Sequence, residues 1–488
     1  MEGVPEERIR VANRRAVDAS GRYVLYWMIA NRRGGWNFSL QQAAAWAREL
    51  GKPLLVFEPL RSGYPWASDR FHYFLVQGMA ENARQLRGKA ALYVPYLEPQ
   101  PGDGRGLLAA LASRACVVVS DDFPCFFLPR MVRAAAEQTP VRLELIDSNG
   151  LLPLRAAGRT FSRAVDFRRF LQRHLPPHLA RFPKADPLAG LRLPALPGLP
   201  PQIRRRWPSA DPEQLARSPS RLAEFPINHG VAIVGTPGGA AAAAKTLRQF
   251  LAHKLPRYDE ARNQPEEDAT SGLSPYLHFG HISAHQVFSE TMDREGWCPR
   301  QLSSTASGSA RGWWGTSPDA ESFLDELITW REMGYNLCAY RDDYDQYASL
   351  PEWAKKTLAD HRRDPRAYVY SLEALEAAET HDELWNAAQR QLVREGRIHN
   401  YLRMLWGKKI LEWSPDPQAA LEAMIELNNK YALDGRDPNS YSGIFWCLGR
   451  YDRPWGPERS IFGKVRYMSS ENTARKVQVR EYLARYRA

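Results

Sequence analysis

A chain of 488 residues is longer than one hydrophobic core organises, so two or three domains are expected, and 44% hydrophobic with 25% charged residues is the balance of a globular protein. No apolar run approaches the roughly 18 to 20 residues that span a bilayer, the N-terminal MEGVPEERIRVANRR lacks a secretory h-region, and five scattered cysteines without a CxxC pair indicate neither a disulfide framework nor a thiolate metal site. A cytoplasmic protein with no membrane partner and no metal is the expectation, and the surplus of 66 Lys and Arg over 55 Asp and Glu, a formal charge of +11, suits a polyanionic partner.

From residue 23 short apolar runs alternate with helical patterns: YVLYWMIA, then SLQQAAAWAREL, then PLLVFEPL, followed by ALYVPYL, CVVVSDD and VRLELID. Runs of this length between amphipathic helices mark βαβ units, so residues 1–155 are expected to form an α/β Rossmann-like domain on a parallel sheet. No GxGxxG is present, and the fold by itself says nothing about a dinucleotide. Residues 156–235 read as an interdomain linker, because FPKADPLAGLRLPALPGLPPQIRRRWPSADPEQLARSPS is rich in proline and poor in periodicity. Within it Arg204, Arg205, Arg206 and Trp207 suit either nucleic acid or, more simply, solvent.

Residues 236–488 carry helical patterns almost throughout, giving a larger all-α C-terminal domain. At its entrance AIVGTPGGAAAAAKT imitates a phosphate-binding loop, but Ala244 stands where glycine must precede the lysine, so the stretch reads as a loop and a helix start. CPRQLSSTASGSARGWWGTSPDAES, residues 298–322, has the Ser, Gly and Thr content of a flexible loop, with Trp313 and Trp314 available to dock it.

HNYLRMLWGKKILEW reads as a helix with His399, Arg403, Trp406, Ile410 and Trp413 on one face. A guanidinium on a core-facing stripe costs several kcal/mol unless an acid or a bound anion meets it. Asp434 is the candidate partner, opening DGRDPNSYSGIFW, whose Gly and Pro force a turn. The pair serves either as a structural ion pair or as the lining of a cofactor site. Thr270, Ser271, Gly272, Leu273 and Ser274 form a run of hydroxyls and glycine fit for a helix N-cap, or for cradling a pyrophosphate. In FLDELITWREMGYN, Glu326 and Trp330 share a helix face.

TSGLSPYLHFGHIS, FLDELITWRE, HNYLRMLW and DGRDPN with its following tryptophan, in this order, resemble the photolyase/cryptochrome family. THDELWNAAQRQLVREGRIHNYLRMLWGKKILEW, then YALDGRDPNSYSGIFWCLGRYDRPW and IFGKVRYMS, look like class II cyclobutane pyrimidine dimer photolyases. The likeness is dense over about residues 320–470, looser over 255–290 and mainly topological before 150. It implies that the helical domain binds FAD and that light drives an electron from reduced flavin into a dimer flipped out of double-stranded DNA. It also implies a monomer, with a deazaflavin-type antenna as a second chromophore.

Residue by residue, the resemblance implies that Trp406, Trp413 and Trp385 carry electrons to the flavin. Arg403 and Asp434 match the pair beside the flavin ring, Gly435 and Arg436 follow them in the cofactor-binding turn, and Asn428 matches an asparagine near flavin N5, with Asn429 adjoining. Tyr258 and the run Thr270 to Ser274 match the phosphate-side motif. Glu326 matches the glutamate that hydrogen-bonds the damaged base. Trp330 and Trp446 match the tryptophans that pack on the dimer, Met404 a contact residue, and Arg459 and Arg466 the basic tail that meets the opened duplex. Gly272 stands where class II enzymes usually carry Asn, and Leu405 where a tyrosine often precedes the first tryptophan. The alternative reading is a cryptochrome-like photoreceptor that binds flavin and repairs nothing. A (6-4) photoproduct enzyme calls for a histidine acid at the lesion, for which His399 is the near candidate.

Overall fold

The structure is a computed structural model that describes residues 3–488. The chain folds as two compact units, one comprising the segment up to Ala156, His174–Arg248 and Leu273–Pro299, the other Ala157–Arg173, Gln249–Gly272 and Arg300–Ala488.

The first unit is built on six strands, β1 (Ile9–Val11), β2 (Tyr23–Trp27), β3 (Leu54–Leu60), β4 (Leu92–Leu97), β5 (Ala115–Asp121) and β6 (Leu143–Ile146). Their order is β1-β6-β5-β2-β3-β4, parallel except for the pairing of β1 with β6. Every residue of β2, β5 and β6 is buried, which explains why the sequence shows unbroken apolar runs and not alternation: helices cover both faces. The sheet is therefore mixed and not purely parallel. β1 is three residues, Ile-Arg-Val, whose exposed edge carries no apolar signature.

β2 and β5 are neighbours from which the strand order runs outward in opposite directions, the place where α/β sheets usually open a crevice. Here the Asp121 carboxylate fills it, accepting from the backbone amides of Ile29, Ala30 and Asn31 at 2.9, 2.8 and 3.0 Å. The loop resembling a phosphate site is also spoken for. The helix Ala240–Gln249 begins beside Glu81, whose carboxylate oxygens both lie 3.0 Å from the Ala241 amide. A Cβ on Gly238 would stand 2.0 Å from the Phe74 carbonyl oxygen, so the glycine serves packing. Trp207 is buried and donates to the Asp103 carbonyl at 2.8 Å, so the proline-rich stretch packs at that point, while Arg204 and Arg205 face solvent.

The second unit is helical, its main elements being Arg331–Tyr340, Glu383–Glu395, Asn400–Trp413, Pro417–Tyr431 and Pro438–Trp446. The Ser/Gly-rich stretch expected to be flexible is held down within this unit. Trp313 and Trp314 are buried with rings 4.6 Å apart, and the Glu321 carboxylate accepts from the amides of Gly312, Trp314 and Gly315. Arg168 and Arg169 donate to the carbonyls of Gly308 and Ser307. Two buried indoles outweigh the local preference of Ser and Gly for open backbone.

Candidate active site

The helix Asn400–Trp413 follows the αL turn at Gly396, which ends Glu383–Glu395 and lets the chain reverse. Arg403, on its second turn, reaches Asp434: one terminal nitrogen lies 3.4 and 3.3 Å from the two carboxylate oxygens, with side chains 19% and 14% exposed. Arg403 Nε is buried with no partner among the described residues, and His399 stands one turn before it, at the N-cap. Burial, Arg397 and Arg403 push the His399 imidazole down to about 4.

Asp434 sits in a turn whose shape depends on its neighbours. A Cβ on Gly435 would come within 2.9 Å of the Asn428 carbonyl oxygen and 3.0 Å of that of Ala432. Arg436 has φ 64°, a left-handed conformation held by its amide donating to Asn429 Oδ1 at 3.0 Å. Asn429 is otherwise engaged by Tyr441 and Asn428. Asn428 donates to Asn429 and to Ser440 Oγ at 2.8 Å, which leaves its side-chain oxygen as the free end. The geometry thus separates two adjacent asparagines that the sequence alone does not: Asn429 holds the turn, and Asn428 has capacity to spare.

Glu326 and Trp330 lie in a π-helical segment, Asp325–Trp330, between the helices Pro318–Leu324 and Arg331–Tyr340, and not in the regular α-helix their spacing suggests. Glu326 Oε1 accepts from Arg262 at 2.5 Å, a partner one helical turn beyond Tyr258. Burial lifts the Glu326 carboxyl above its usual range, with Arg262 pulling it back. Tyr258 packs edge-on against Phe250 and Phe323, and burial raises its phenol. Trp330 and Trp446 stack face to face, ring centres 4.7 Å apart at 18°. Their helices are clamped by a relay that sequence reasoning missed, Arg331 to the Tyr335 hydroxyl and that hydroxyl to Asp437, each 3.1 Å. Met404, half-buried, lies on the same helix as Arg403.

The run Thr270 to Ser274 does not cap a helix by its side chains. Ser274–His278 has Leu273 at its N-cap with no side-chain bond, and Gly272 turns the chain at φ 68°. Thr270 to Gly272 belong to the second unit, Leu273 and Ser274 to the first. Arg459 and Arg466 are exposed and lie over the rings of Tyr467 and Trp455, at the rim of a cavity of about 290 Å³ that Tyr401 and Lys476 also line.

The three tryptophans converge. Trp406 and Trp413 belong to one helix, and Trp385, from Glu383–Glu395, joins them: its Nε1 donates to the Trp406 carbonyl at 3.0 Å and its ring meets Trp413 edge-on at 5.5 Å. All three are 2% exposed or less, and Trp406 donates to Gln389 Oε1 at 2.9 Å.

A six-stranded, mostly parallel α/β unit is thus followed in sequence by helices that hold a half-buried guanidinium–carboxylate pair and three packed tryptophans. In fold the chain is similar to the crystal structure of a bacterial class III photolyase from Agrobacterium tumefaciens, with a TM-score of 0.66 and 19% identity, covering 96% of this chain and 86% of that one. It is 36% identical to the deoxyribodipyrimidine photo-lyase of Methanothermobacter thermautotrophicus, over 99% of this chain and 98% of the relative. The Arabidopsis thaliana and Potorous tridactylus proteins of that name are 32% and 31% identical, each over 94% of this chain and over 88% and 80% of their own lengths. No family model matches. The chain belongs to the deoxyribodipyrimidine photo-lyase family and is an enzyme of that kind.

Proposed function

We propose that this chain is a class II member of its family that uses FAD and light to split cyclobutane pyrimidine dimers in double-stranded DNA. The observation that carries the reading is Arg403. One terminal nitrogen of its guanidinium is spent on Asp434 while Nε lies buried and bare, which is the chemistry of a site built for a polar, electron-rich ring system. FAD bound there supplies an electron to the lesion when its reduced ring absorbs light.

The chain's own residues then have distinct tasks. Arg403 balances negative charge on the ring, Asp434 fixes the Arg403 rotamer, and the free oxygen of Asn428 accepts from a ring N–H. Gly435 and Arg436 keep that turn close, while Tyr258, Thr270, Ser271, Gly272, Leu273 and Ser274 serve the phosphate side. Trp330 and Trp446 offer apolar faces to a lesion that has left the base stack, Met404 closes on it, and Glu326 reads its polar edge. Arg459 and Arg466 meet DNA phosphates or the opened duplex. Trp406, Trp385 and Trp413 relay electrons inward. In the first unit a cavity of about 320 Å³ lined by Trp27, Phe57, Arg61, Tyr96 and Glu98 suits a flat conjugated antenna of the deazaflavin type. The working state in this reading is a cytoplasmic monomer.

The test is an absorbance spectrum of the purified protein followed by illumination with dimer-containing DNA under reducing conditions. Flavin bands and light-dependent loss of dimers are expected. Flavin without repair overturns the reading in favour of a photoreceptor.

A further inference from the structure

The turn between Arg459 and Arg466 is held in a shape it does not choose by itself. Ile461, a β-branched residue, stands at φ 69°, a left-handed conformation that only surrounding contacts can enforce on such a side chain. Phe462 and Val465 are buried with it, and Arg459 and Gly463 exchange backbone hydrogen bonds at 3.0 and 2.7 Å, closing the turn. The last turn of the helix Glu352–Asp360 and the four residues after it supply the enforcing contacts. The Ile461 amide donates to Asp364 Oδ2 at 2.9 Å. His361 Nδ1 lies 2.7 Å from the same oxygen, and because a carboxylate only accepts, Nδ1 carries the proton. Further along, the Lys464 amide donates to Thr357 Oγ1 at 3.0 Å, and a Cβ on Gly463 would stand 2.1 Å from that hydroxyl and 2.7 Å from His361 Cδ2. Arg366 Nη1 donates to the Asp364 carbonyl at 3.1 Å, fixing the backbone that presents the carboxylate. The Ile461 amide and, after it, His361 hold the Asp364 carboxyl below its ordinary range, with the Ser460 hydroxyl adding to the effect, so at neutral pH it is a charged acceptor.

We propose that Asp364 is a positioning residue for DNA binding: its carboxylate locks the Ile461 turn so that Arg459 and Arg466 meet the duplex already arranged, with Thr357 and His361 completing the lock. The two arginines flank the turn, and each lies over a ring, Tyr467 at 4.8 Å and Trp455 at 5.3 Å, while the residues between them are pinned. A loose turn would have to be ordered on binding, and that lost entropy would weaken the complex; a turn ordered beforehand brings both charges to the phosphates without it. The strain at Ile461 is met within the free protein, and the DNA does not have to supply it. This rests on the reading of Arg459 and Arg466 as DNA contacts and names what arranges them.

Fluorescence anisotropy of labelled duplex across a salt series, on the FAD-loaded protein, tests it. The wild type is expected to lose affinity with salt at a slope to which Arg459 and Arg466 each contribute about 0.9. Asp364→Ala should lower that slope by about two while flavin content and melting temperature stay near the wild type, and saturating dimer-containing DNA should restore the full repair yield. Both bonds converge on one oxygen, so Asp364→Asn, whose amide oxygen can stand there, should keep the wild-type slope. Gly463→Ala drives a Cβ into Thr357 and should reproduce the loss with Asp364 intact. Hydrogen exchange needs no variant: the Ile461 amide of the free wild type should be as protected as in the DNA complex. An Ile461 amide that exchanges freely until DNA is added overturns the lock, as does an unchanged slope in Asp364→Ala. An Asn variant as weak as the Ala variant overturns the acceptor role. If Arg459→Ala and Arg466→Ala share the wild-type slope, the reading of those arginines as DNA contacts fails first and the proposal with it.

Discussion

Glu326 is held between two opposing influences, burial that favours its neutral form and the Arg262 guanidinium that favours the carboxylate. Because its folded pKa is raised, its contribution to stability is complete below the unfolded value and is lost as pH rises through the folded one. Arg262→Gln removes the lowering influence, so the Glu326 midpoint should climb further, read by carboxyl infrared or NMR titration; an unchanged midpoint would mean that Arg262 does not govern it. Glu326→Ala should retain flavin but lower the repair yield, and an equal yield in the variant removes Glu326 from the lesion site. His399 has the opposite sign. Pushed down to about 4, it supports the fold fully above its ordinary value near 6.5 and withdraws that support as pH falls through 4, by about 3 kcal/mol at most. His399→Asn should flatten the stability curve over that window in denaturant titrations. Held that low, the imidazole is uncharged at neutral pH and keeps only its weakly acidic ring N–H, which speaks against the acid role a (6-4) photoproduct enzyme would ask of it.

Where helices cross, glycine sets the spacing of the stacked tryptophans. A Cβ on Gly334 would lie 2.7 Å from Ser442 Oγ and 2.8 Å from the Pro438 carbonyl oxygen, so Arg331–Tyr340 and Pro438–Trp446 could not keep their separation. Gly334→Ala should cost about 1–3 kcal/mol and change the coupling of Trp330 and Trp446 in near-UV circular dichroism. Gly443→Ala, on the same partner helix, meets nothing within 4 Å and should gain about 0.5–1 kcal/mol by helix propensity. A Gly334 variant as stable as the wild type would show that the crossing is not set by close approach. The elements themselves were legible where burial is two-sided: five of the six strands coincide with apolar runs because each is covered on both faces. β1 was not, since an edge of three residues with arginine at its centre has no pattern to read. The Arg403–Asp434 contact could be anticipated because a buried guanidinium requires an acid. The π-helical segment, the Arg331–Tyr335–Asp437 clamp and the Arg262 partner of Glu326 could not, because each depends on which helices meet, and spacing along one helix carries no such information. The Ser/Gly-rich stretch misled for a related reason: its composition describes the backbone, and its fate was decided by two indoles.

The net charge of +11 fits DNA binding but does not locate it, since each cation is either a phosphate contact or a means of solubility. Salt dependence separates the two. Every phosphate contact releases condensed counterions, and the affinity for duplex DNA falls with salt at a slope of about 0.9 per contact. Arg459 and Arg466 are exposed, lie over Tyr467 and Trp455, and border a cavity that also holds Lys476, so their charge is presented on a semi-rigid surface with stacking rings beside it. Arg204 and Arg205 are as exposed, but they end a six-residue helix in the proline-rich stretch and have no such aromatic setting; only Arg206 rests on a ring, that of buried Trp207. Each of Arg459→Ala and Arg466→Ala should therefore lower the salt slope by about one, weakening undamaged and damaged DNA alike. Arg204→Ala with Arg205→Ala should leave it unchanged. The measurement is fluorescence anisotropy of labelled duplex across a salt series. A slope that falls for the Arg204 and Arg205 pair and not for the Arg459 and Arg466 variants would move the DNA contact to the first unit and take the basic tail out of the binding surface.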